Sequence, residues 1–344
     1  MNIDELYMQR CVQLASMAEG HTSPNPMVGA VIVCDGHIIG EGYHRRCGEA
    51  HAEVNAIASV RDKSLLSRST IYVSLEPCSH YGKTPPCCDL IIESKIPRVV
   101  VGCLDPFPQV SGCGIRKLQQ HGIDVTTNIL QEACMWLNRK FITFQQQGRP
   151  YITLKWAQSS DGFIDRHRQA NEPPTQFSTP TTRCWSHRLR ATNDAIVVGT
   201  NTAIADNPSL TTRYWSGRNP LRITIDKRGR IPAHSALFDG TTDTLLLGKN
   251  EEVKGVETIA LAPEASSIDV LLKELHQRNV QSLIVEGGST LLQAFIDCNL
   301  WDEARIETTP IELHNGIKAP IINGEEMQIN LHRQGHHTHI IRRQ

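Results

Sequence analysis

The sequence lacks an excess of either charge. Lysine and arginine together number 35 and aspartate and glutamate 36, so the formal net charge is −1. No dense run of lysine and arginine appears along the chain. Proteins that bind nucleic acid usually carry a basic excess on one face. This absence argues against a protein that edits tRNA or DNA and favours an enzyme with a small-molecule substrate.

The sequence also lacks long apolar runs. No stretch of about eighteen apolar residues is present, as a transmembrane helix requires, and we see no apolar signal-peptide core near the first residues. The 11 cysteines are odd in number and scattered, unlike those of a secreted disulfide scaffold. We therefore expect a protein of the reducing cytoplasm, where cysteines bind metals more often than they form disulfides.

The chain of 344 residues is long enough for two ordinary domains, and both halves alternate predicted strands with predicted helices. Residues 145–150 (QQQGRP) are polar and end in proline, so we place the domain boundary there. The predicted domains are residues 1–147 and 148–344. The alternation is typical of the α/β class, in which helices cover a sheet. The tail from His332 is rich in histidine and arginine, and we interpret it as a solvated terminus.

The most specific motif is His51-Ala52-Glu53, followed by Pro77-Cys78 and then Cys87. It resembles the zinc-dependent nucleobase deaminases, whose signature is H-x-E followed by Pro-Cys and a second cysteine. A hydrolytic zinc ion takes three protein ligands and keeps one position for water. The pattern predicts His51, Cys78 and Cys87 as the ligands and Glu53 as the residue that transfers protons.

These residues have two other interpretations. His51 could be a packed core histidine and the cysteines small buried apolar residues, although the parts of the motif occur in the right order. A structural zinc site would need a fourth protein ligand. Cys88 could supply it, but adjacent residues seldom both reach one metal, and we treat Cys88 as a bystander.

Three longer segments carry a narrower resemblance. Residues 23–29 (SPNPMVG), 40–44 (GEGYH) and 77–87 (PCSHYGKTPPC) resemble the bifunctional deaminase and reductase family of riboflavin biosynthesis. The resemblance implies a cytidine-deaminase-like α/β/α sandwich that deaminates 2,5-diamino-6-(5-phosphoribosylamino)pyrimidin-4-one. It implies that Asn25 contacts the pyrimidine, and that His44, His80, Lys83 and Asp105 hold the substrate and its phosphate. Taken alone, Asn25 could equally be a turn residue, Lys83 a surface charge and Asp105 a cap.

The second half carries a weaker signal. Residues 284–291 (IVEGGSTL) are typical of a strand, a glycine pair and a helix start. Backbone amides at a helix N-terminus bind phosphate readily, and glycines let a ligand approach the backbone closely. The absence of G-x-G-x-x-G excludes a standard Rossmann dinucleotide site. The residues alone predict either an α/β domain that binds a phosphorylated ligand or an ordinary loop whose glycines end a helix.

The same family supplies an expectation for this half. Residues 153–162 (TLKWAQSSDG), 198–213 (VGTNTAIADNPSLTTR) and 285–291 (VEGGSTL) resemble its reductase half. That half is a dihydrofolate-reductase-like α/β domain that uses NADPH to reduce the ribosyl group to a ribityl chain. Lys155 matches the family's active-site lysine. The implied cofactor contacts are Ala157, Thr202, Asp206, Gly288, Ser289, Thr290, Leu291, Leu292 and Gln293, and the implied substrate contacts are Arg190, Leu210, Arg213 and Glu286.

Two positions depart from the family pattern. Residues 174–176 read Pro-Thr-Gln where many members have Ser-x-Trp, and Lys227 follows Asp226 where the family tends to have serine. Both changes fall in regions expected to contact the cofactor. Lys227 and Arg228 could compensate by binding the 2′-phosphate of NADPH, and we therefore include Lys227 among the cofactor-binding residues.

We predict a cytoplasmic bifunctional enzyme, both hydrolase and oxidoreductase, that uses Zn²⁺ and NADPH on a phosphorylated pyrimidine. It is expected to bind neither nucleic acid nor membranes and to form a homo-oligomer. Three alternatives stay open: an active deaminase with an impaired reductase half, a nucleic-acid-editing deaminase, and a non-catalytic metal module. The neutral charge and the absence of interleaved aromatic and basic residues argue against the second, and a zinc ion with four protein ligands would indicate the third.

Overall fold

The computed structural model describes residues 2–81, 85–107, 111–169, 172–249, 253–262, 264–332 and 335–343. The chain divides into two compact units, Met1–Gly148 and Arg149–Gln344. Lys83, a predicted substrate residue, lies outside the described residues. Among the helices of the described ranges, none combines the length and the apolar character needed to span a bilayer.

A five-stranded sheet forms the centre of the first unit. Its strands are β1 (Gly29–Cys34), β2 (His37–Tyr43), β3 (Thr70–Leu75), β4 (Arg98–Cys103) and β5 (Asp124–Thr126). Its helices are α1 (Ile3–Ser16), α2 (Ala52–Ser59), α3 (Cys87–Glu93), α4 (Cys113–Gln120), α5 (Gln131–Leu137) and α6 (Arg139–Gln147), with a 3₁₀ turn at Lys63–Arg68. The strand order is β2-β1-β3-β4-β5, in which β1 is antiparallel to both neighbours and β3, β4 and β5 are parallel.

Both faces of this sheet are buried. Ile32 and Val73 belong to a cluster that includes residues of α2, α3 and α4 on one face. Val31 and Tyr72 belong to a second cluster, with residues of α1 and α5, on the opposite face. Strands covered on both sides have nearly continuous apolar sequences, which is why β1, β3 and β4 could be recognised from the sequence. The first unit is therefore an α/β/α sandwich.

The turn between β1 and β2 follows directly from its two residues. Asp35 and Gly36 both have positive φ, 49° and 77°, and Cys34 pairs with His37 across the turn. A two-residue turn of this kind matches the twist of the flanking strands, and Asp-Gly suits it because both residues tolerate the left-handed region. The predicted hairpin is confirmed.

A nine-stranded sheet forms the centre of the second unit. The strands of the described part are β6 (Tyr151–Gln158), β7 (Phe163–Asp165), β8 (Ala195–Gly199), β9 (Leu221–Asp226), β10 (Thr244–Gly248), β11 (Glu257–Ile259), β12 (Ser282–Glu286), β13 (Glu303–Thr308), β14 (Ile317–Lys318), β15 (Glu325–Leu331) and β16 (His337–Arg342). The helices are α7 (Pro180–Ala191), α8 (Thr200–Asp206), α9 (Ser267–Gln277) and α10 (Ser289–Asp297), with a 3₁₀ turn at Ala236–Phe238.

The order in the large sheet is β11-β10-β9-β8-β12-β6-β13-β16-β15, and β7 and β14 form a separate pair. The strands from β11 to β13 are parallel, whereas β16 is antiparallel to both β13 and β15. One apolar cluster runs under β6, β8, β12 and β13 and includes buried residues of α9 and α10. In a mostly parallel sheet the carboxyl ends of the strands lie at one edge, where ligand sites of α/β proteins form.

The C-terminal segment differs from the sequence prediction. We predicted a solvated terminus from His332 onward, and this prediction is wrong because β16 pairs along six residues with β13. His337 and His339 lie within that strand, and His339 Nδ1 contacts Glu326 Oε2 at 3.1 Å. The histidine-rich composition hid the strand, because its place in the sheet depends on hydrogen bonds to β13 and β15 and not on an apolar pattern of its own.

Candidate active sites

Three side chains from different elements converge in the first unit. His51 immediately precedes α2, Cys78 lies in the loop after β3, and Cys87 is the first residue of α3. His51 Nδ1 lies 3.3 Å from Cys87 Sγ and 3.6 Å from Cys78 Sγ, and the three ligand atoms lie within 4.8 Å of one another. Ligands of a tetrahedral zinc ion lie roughly 3.5 to 3.8 Å apart. The three residues therefore fit a single zinc ion.

The pKa values of the two cysteine thiols are shifted in opposite directions. The Cys87 thiol donates a hydrogen bond that lowers the pKa of Cys78, and the same pairing raises the pKa of Cys87. The backbone N–H of Cys87 also donates to Cys78 Sγ at 3.2 Å. Hydrogen bonds of this kind stabilise a thiolate, which is the form of cysteine that binds metals. The contacts with Cys87 therefore favour the thiolate form of Cys78, which can bind a metal.

Cys88 has different contacts. Its Sγ lies 3.3 Å from the carbonyl oxygen of Pro77 and 3.6 Å from that of Gly114. Burial raises the pKa of Cys88 to about 12, so its thiol keeps its proton. In the ranges that the structure describes, the group with metal-ligand geometry consists of His51, Cys78 and Cys87. The contacts of Cys88 are those of a core thiol.

Glu53 lies in the first turn of α2, two residues after His51, and is only 3% exposed. Burial, followed by the negative charge of Cys78, raises the pKa of Glu53 to about 7. A carboxyl group with a pKa near neutrality can both accept and donate a proton at pH 7. The side chain is therefore chemically suited to shuttle protons beside the metal ligands.

Asn25 and His44 form a hydrogen-bonded pair next to this group. His44 Nδ1 lies 3.1 Å from the carbonyl oxygen of Ala50, which can only accept, so Nδ1 carries the proton. His44 Nε2 must then accept from Asn25 Nδ2 at 3.2 Å. Burial lowers the pKa of His44, which keeps the ring neutral, and its ring centroid lies 5.5 Å from that of His51. This chain of contacts orients the Asn25 amide beside the metal ligands.

His80 and Asp105 approach the same region from two loops. His80 is exposed in the loop after β3, and Asp105 is partly buried after β4. Burial raises the pKa of Asp105, and the charge of His80 opposes that effect. The charge of Cys78 also acts on Asp105. Asp105 therefore lies within electrostatic reach of both Cys78 and His80.

A cavity of about 790 Å³ opens in the second unit. Of the residues predicted to bind cofactor or substrate, those that line it are Lys155, Ala157, Arg190, Thr202, Asp206, Leu210, Glu286, Gly288, Ser289, Thr290 and Leu291. Of the residues that depart from the family pattern, Pro174 and Thr175 also line the cavity, whereas Lys227 is not among its lining residues. The cavity lies at the carboxyl ends of β6, β8 and β12, as expected for an α/β ligand site.

A partly buried ionic network forms part of the cavity wall. Lys155 and Glu286 are direct partners on the adjacent strands β6 and β12, and Lys155 Nζ lies 2.8 Å from Glu286 Oε1. Arg190, near the end of α7, donates from Nη2 to Glu286 Oε2 at 2.9 Å. Burial alone would raise the pKa of Glu286, but the charges of Arg190 and Lys155 outweigh it and hold that pKa well below its usual range. Glu286 therefore stays ionised and fixes both cations.

His187 holds the loop that carries Arg213. The backbone N–H of Arg213 donates to His187 Nδ1 at 2.8 Å, so this nitrogen is unprotonated. Burial, reinforced by the charges of Arg190 and Arg213, lowers the pKa of His187 to about 4. A neutral imidazole can accept from a backbone amide, whereas an imidazolium cannot. The sequence analysis did not predict a role for His187. The signal that could have indicated one is its position on α7, three residues before Arg190.

The glycine pair allows two elements to approach each other. Gly287 has a φ of +112°, and a Cβ atom there would lie 2.8 Å from Thr202 Oγ1. The backbone N–H of Gly288 donates to that same oxygen at 2.8 Å, so Thr202 of α8 is fixed against the start of α10. The amides that begin α10 line the cavity, where a helix N-terminus favours phosphate.

Four predicted ligand-binding residues are absent from the cavity lining. Leu292 is fully buried in the core, and the Gln293 side chain bonds to Asp297 and to the backbone of Ile321. Lys227 Nζ lies 3.4 Å from the carbonyl oxygen of Ala265. The fourth, Arg213, donates to Thr211 Oγ1 at 2.7 Å.

Several residues that sequence reasoning missed do line the cavity. Arg168 is paired with Asp165 at 2.7 Å and with Asp206, and Arg230 donates to Asn201 Oδ1 at 3.1 Å. Arg168 lies outside every family segment that we used, so no motif indicated it. Arg230 is the last residue of the basic run 227–230, of which only Lys227 and Arg228 are predicted to bind the cofactor from the sequence.

Comparison with known proteins decides the family. Residues 1–103 match the cytidine and deoxycytidylate deaminase zinc-binding region, and residues 150–341 match the RibD C-terminal domain. The riboflavin biosynthesis protein RibD of Aquifex aeolicus is 37% identical over 324 residues, which cover 92% of this chain and 89% of the relative. RibD of Escherichia coli is 38% identical over 327 residues, covering 89% and 88%.

The chain belongs to the RibD family of riboflavin biosynthesis. A solved deaminase/reductase structure from Thermotoga maritima matches with a TM-score of 0.89 and 35% identity over 99% of both chains. RibD of Acinetobacter baumannii matches with a TM-score of 0.86 and 31% identity, covering 99% of both. Like other RibD proteins, the chain is a hydrolase and an oxidoreductase, with a zinc deaminase domain and an NADPH-dependent reductase domain. The predicted family, fold class, pair of activities and cofactors are confirmed.

Proposed function

We propose that the first domain, residues 1–147, deaminates 2,5-diamino-6-(5-phosphoribosylamino)pyrimidin-4-one. The second domain, residues 148–344, then reduces the ribosyl group of the product to a ribityl chain. The observation that carries this proposal is that each unit holds side chains suited to one of the two steps: a zinc-ligand triad beside a buried acid, and a Lys–Glu–Arg network beside a large cavity. The Thermotoga maritima relative is named for the same two activities, a diaminohydroxyphosphoribosylaminopyrimidine deaminase and a 5-amino-6-(5-phosphoribosylamino)uracil reductase.

In the deaminase domain His51, Cys78 and Cys87 hold zinc, which when bound activates water for attack on the ring carbon that bears the amine. Glu53 would carry a first proton from that water to the ring nitrogen, and then a second proton, from the hydroxyl formed at the ring carbon, to the amine, which leaves as ammonia. Its pKa of about 7 suits both directions of transfer. Asn25, oriented by His44, contacts the pyrimidine.

We assign the remaining substrate contacts in this domain to three polar residues. His80 and Asp105 lie beside Cys78 and hold the substrate, with Lys83 assigned to its phosphate from the family pattern. A cationic side chain next to a phosphate contributes charge-assisted hydrogen bonds. In this proposal His80, Lys83 and Asp105 therefore orient the substrate, and Glu53 transfers the protons.

In the reductase domain NADPH, when bound, supplies hydride to C1 of the sugar. Lys155, positioned by Glu286, donates a proton to the ring oxygen of the sugar, which opens the ring to a protonated imine that hydride reduces at C1. Arg190 and Arg213 bind the phosphate and Leu210 packs against the substrate. Ala157, Thr202, Asp206, Gly288, Ser289, Thr290 and Leu291, which line the cavity, would hold the cofactor, and Lys227, outside the lining, is kept as the proposed ligand of its 2′-phosphate. Leu292 and Gln293 are left out of this assignment, because Leu292 is buried in the core and Gln293 bonds to Asp297 and Ile321.

Mass spectrometry of reaction products tests the two-step proposal. Zinc-loaded protein is incubated with the diaminopyrimidine ribosylamine phosphate, with and without NADPH. Deaminated product alone without NADPH, and deaminated and reduced product with it, support both steps. Deamination that never proceeds to reduction would instead favour an impaired second domain, with Pro174, Gln176 and Lys227 the first residues to restore to the family pattern.

Replacing Cys87 by serine is expected to weaken zinc binding by at least about 10²-fold, whereas Cys88→Ser should leave it unchanged. A lost ligand should cost more than the loss of an outer partner of a ligand, which costs about 10- to 100-fold. Zinc content after dialysis against a graded chelator series measures the effect. The two variants make the same chemical change at adjacent positions, so zinc loss in Cys88→Ser alone would reverse the assignment.

Replacing Lys227 and Arg228 together by alanine is expected to weaken NADPH binding by about 10- to 100-fold and NADH binding little. Hydrogen bonds to a charged phosphate contribute about 1.5–3 kcal/mol, and NADH lacks the 2′-phosphate. Cofactor affinity is measured by fluorescence titration of the resting enzyme. Arg230→Ala is the comparison variant, because Arg230 lines the cavity: if it alone separates NADPH from NADH, Lys227 is not the phosphate ligand.

We also propose that the enzyme is a homo-oligomer of the reducing cytoplasm. Cys11, Cys34 and Cys103 are buried with free thiols, a state that a reducing compartment preserves. The outermost strand β15 exposes Met327, Ile329 and Leu331, and an exposed apolar edge strand is a ready template for pairing with another chain. Sedimentation equilibrium tests the second point, and a monomer at micromolar concentration would contradict it.

A further inference from the structure

Glu76 is a buried carboxylate to which the proposed mechanism gives no part. It follows β3 directly and precedes Pro77 and Cys78, and it is only 6% exposed. Its backbone N–H donates to the carbonyl oxygen of Cys103 at 2.9 Å, which ties the ends of β3 and β4 together. Acidic side chains are rarely buried without partners, so the contacts of this carboxylate need an explanation.

The Glu76 carboxylate accepts hydrogen bonds from four backbone amides. Oε2 accepts from Asp105 at 3.2 Å and from Gly112 at 2.9 Å, and Oε1 accepts from Gly114 at 2.9 Å and from Ile115 at 3.4 Å. The first amide belongs to the segment after β4, and the other three belong to the start of α4. A charged acceptor makes hydrogen bonds about twice as strong as a neutral one. One side chain therefore joins three separate pieces of the domain.

The close approach of α4 shows that this arrangement is tightly packed. Gly114 lies so near the metal-ligand loop that a Cβ atom there would be 2.2 Å from the carbonyl oxygen of Pro77 and 3.2 Å from Glu76 Oε1. The N-cap residue Gly112 supplies no side chain to the helix, so the free amides of the first turn are satisfied by Glu76 instead. The start of α4 and the Cys78 loop are thus held in one arrangement.

Asp105 is the residue through which this arrangement reaches the substrate. Its backbone amide is bound to Glu76, and its carboxylate accepts from the amide of Phe107 at 2.9 Å. Glu76 lies two residues before the metal ligand Cys78. The Glu76 carboxylate therefore sets the position of Asp105 relative to the metal loop. One hydrogen bond links it to Asp105, and Glu76 is only two residues from Cys78 along the chain.

We propose that Glu76 is a positioning residue that holds Asp105 against the metal site and so governs substrate binding by the deaminase domain. The proposal rests on the substrate-binding role of Asp105 in the proposed function. Glu76 touches neither the metal ligands' Sγ atoms nor the substrate in this scheme. Its loss should therefore raise KM while leaving zinc binding and proton transfer by Glu53 intact.

Glu76→Gln is the informative variant. Glutamine keeps the size of the side chain but replaces one acceptor oxygen with an NH₂ group, which faces two of the four amide donors. We expect the KM for deamination to rise by about 10- to 100-fold, the range for losing hydrogen bonds to a charged group, with kcat within about threefold of wild type. Zinc content should stay at that of wild type, and reduction of deaminated substrate in the second domain should be unchanged. Glu93→Gln, on the exposed side of α3, makes the same chemical change and should alter none of these quantities.

A double-mutant cycle with Asp105→Asn separates positioning from general damage. If Glu76 acts through Asp105, then Glu76→Gln should raise KM much less in the Asp105→Asn background than in wild type. Additive effects would overturn the proposal, as would loss of zinc or a fall in kcat alone in Glu76→Gln. An unchanged KM in Asp105→Asn would overturn it through Asp105, whereas absence of deamination in the wild-type enzyme would refute the proposed function itself.

Discussion

Replacing Glu53 by glutamine is expected to leave zinc bound and to lower kcat for deamination by about 10² to 10⁴-fold, the usual contribution of a positioned acid–base group. Glutamine has nearly the shape of glutamate but cannot accept a proton from water or pass it on. Glu53 is 3% exposed, and burial raises its pKa to about 7, so in the native protein it is not a solvated surface charge. The change should therefore remove chemistry and little else.

The measurement pairs zinc content with steady-state deamination. Glu132→Gln, an exposed glutamate on α5, is the control and should behave as wild type in both. Reduction of deaminated substrate by the second domain provides a second control within the same chain. If Glu53→Gln loses zinc, then Glu53 is a ligand and its assignment as the proton shuttle is wrong.

Replacing Lys155 by alanine is expected to lower reduction by about 10²-fold or more and to leave deamination unchanged. Lys155 Nζ lies 2.8 Å from Glu286 Oε1, and the two side chains are 17% and 15% exposed, so solvent screens the pair weakly. Removing the ammonium deletes the proposed proton donor. It also leaves Glu286 with Arg190 as its remaining cationic partner, which should misplace groups that must lie within about 1 Å of their productive positions.

Single-turnover reduction of the deaminated substrate measures this effect, with deamination assayed on the same preparation. Lys273→Ala, which removes an exposed lysine from α9, is the matched control. Lys155→Arg should not restore activity, because a planar guanidinium does not reproduce a compact ammonium. Full reductase activity in Lys155→Ala would remove Lys155 from the mechanism, and equal loss of both activities would indicate unfolding.

The metal site was predictable because its parts are local. His51 and Glu53 are two residues apart at the start of one helix, and Cys78 and Cys87 bracket one loop, so short-range spacing indicates their chemistry. The same reasoning could not find Glu76, although it adjoins the motif. Its partners lie from 29 to 39 residues away, and only the pairing of β3 with β4 brings them together.

The second unit shows where pattern reasoning stops. Its ionic network joins Lys155 to Glu286, 131 positions apart in the sequence, and Arg190 to Glu286, 96 positions apart. Without the family resemblance, nothing in the sequence indicated that these residues are in contact. Lys227 and Arg230 illustrate the finer limit. Both belong to one basic run, yet Arg230 lines the cavity and Lys227 does not, because the turn after β9 directs neighbouring side chains differently.

The sequence by itself determined the class of fold and the deaminase chemistry and predicted a set of zinc ligands, because apolar periodicity and motif spacing are properties of short segments. Tertiary structure alone decided which charges are paired, which residues face the cavity, and that the histidine-rich tail is a strand. Pairing and burial depend on segments that are distant along the chain. Their energies arise only when the sheet forms, and the final β-strand belongs to the sheet because β13 and β15 offer it hydrogen bonds.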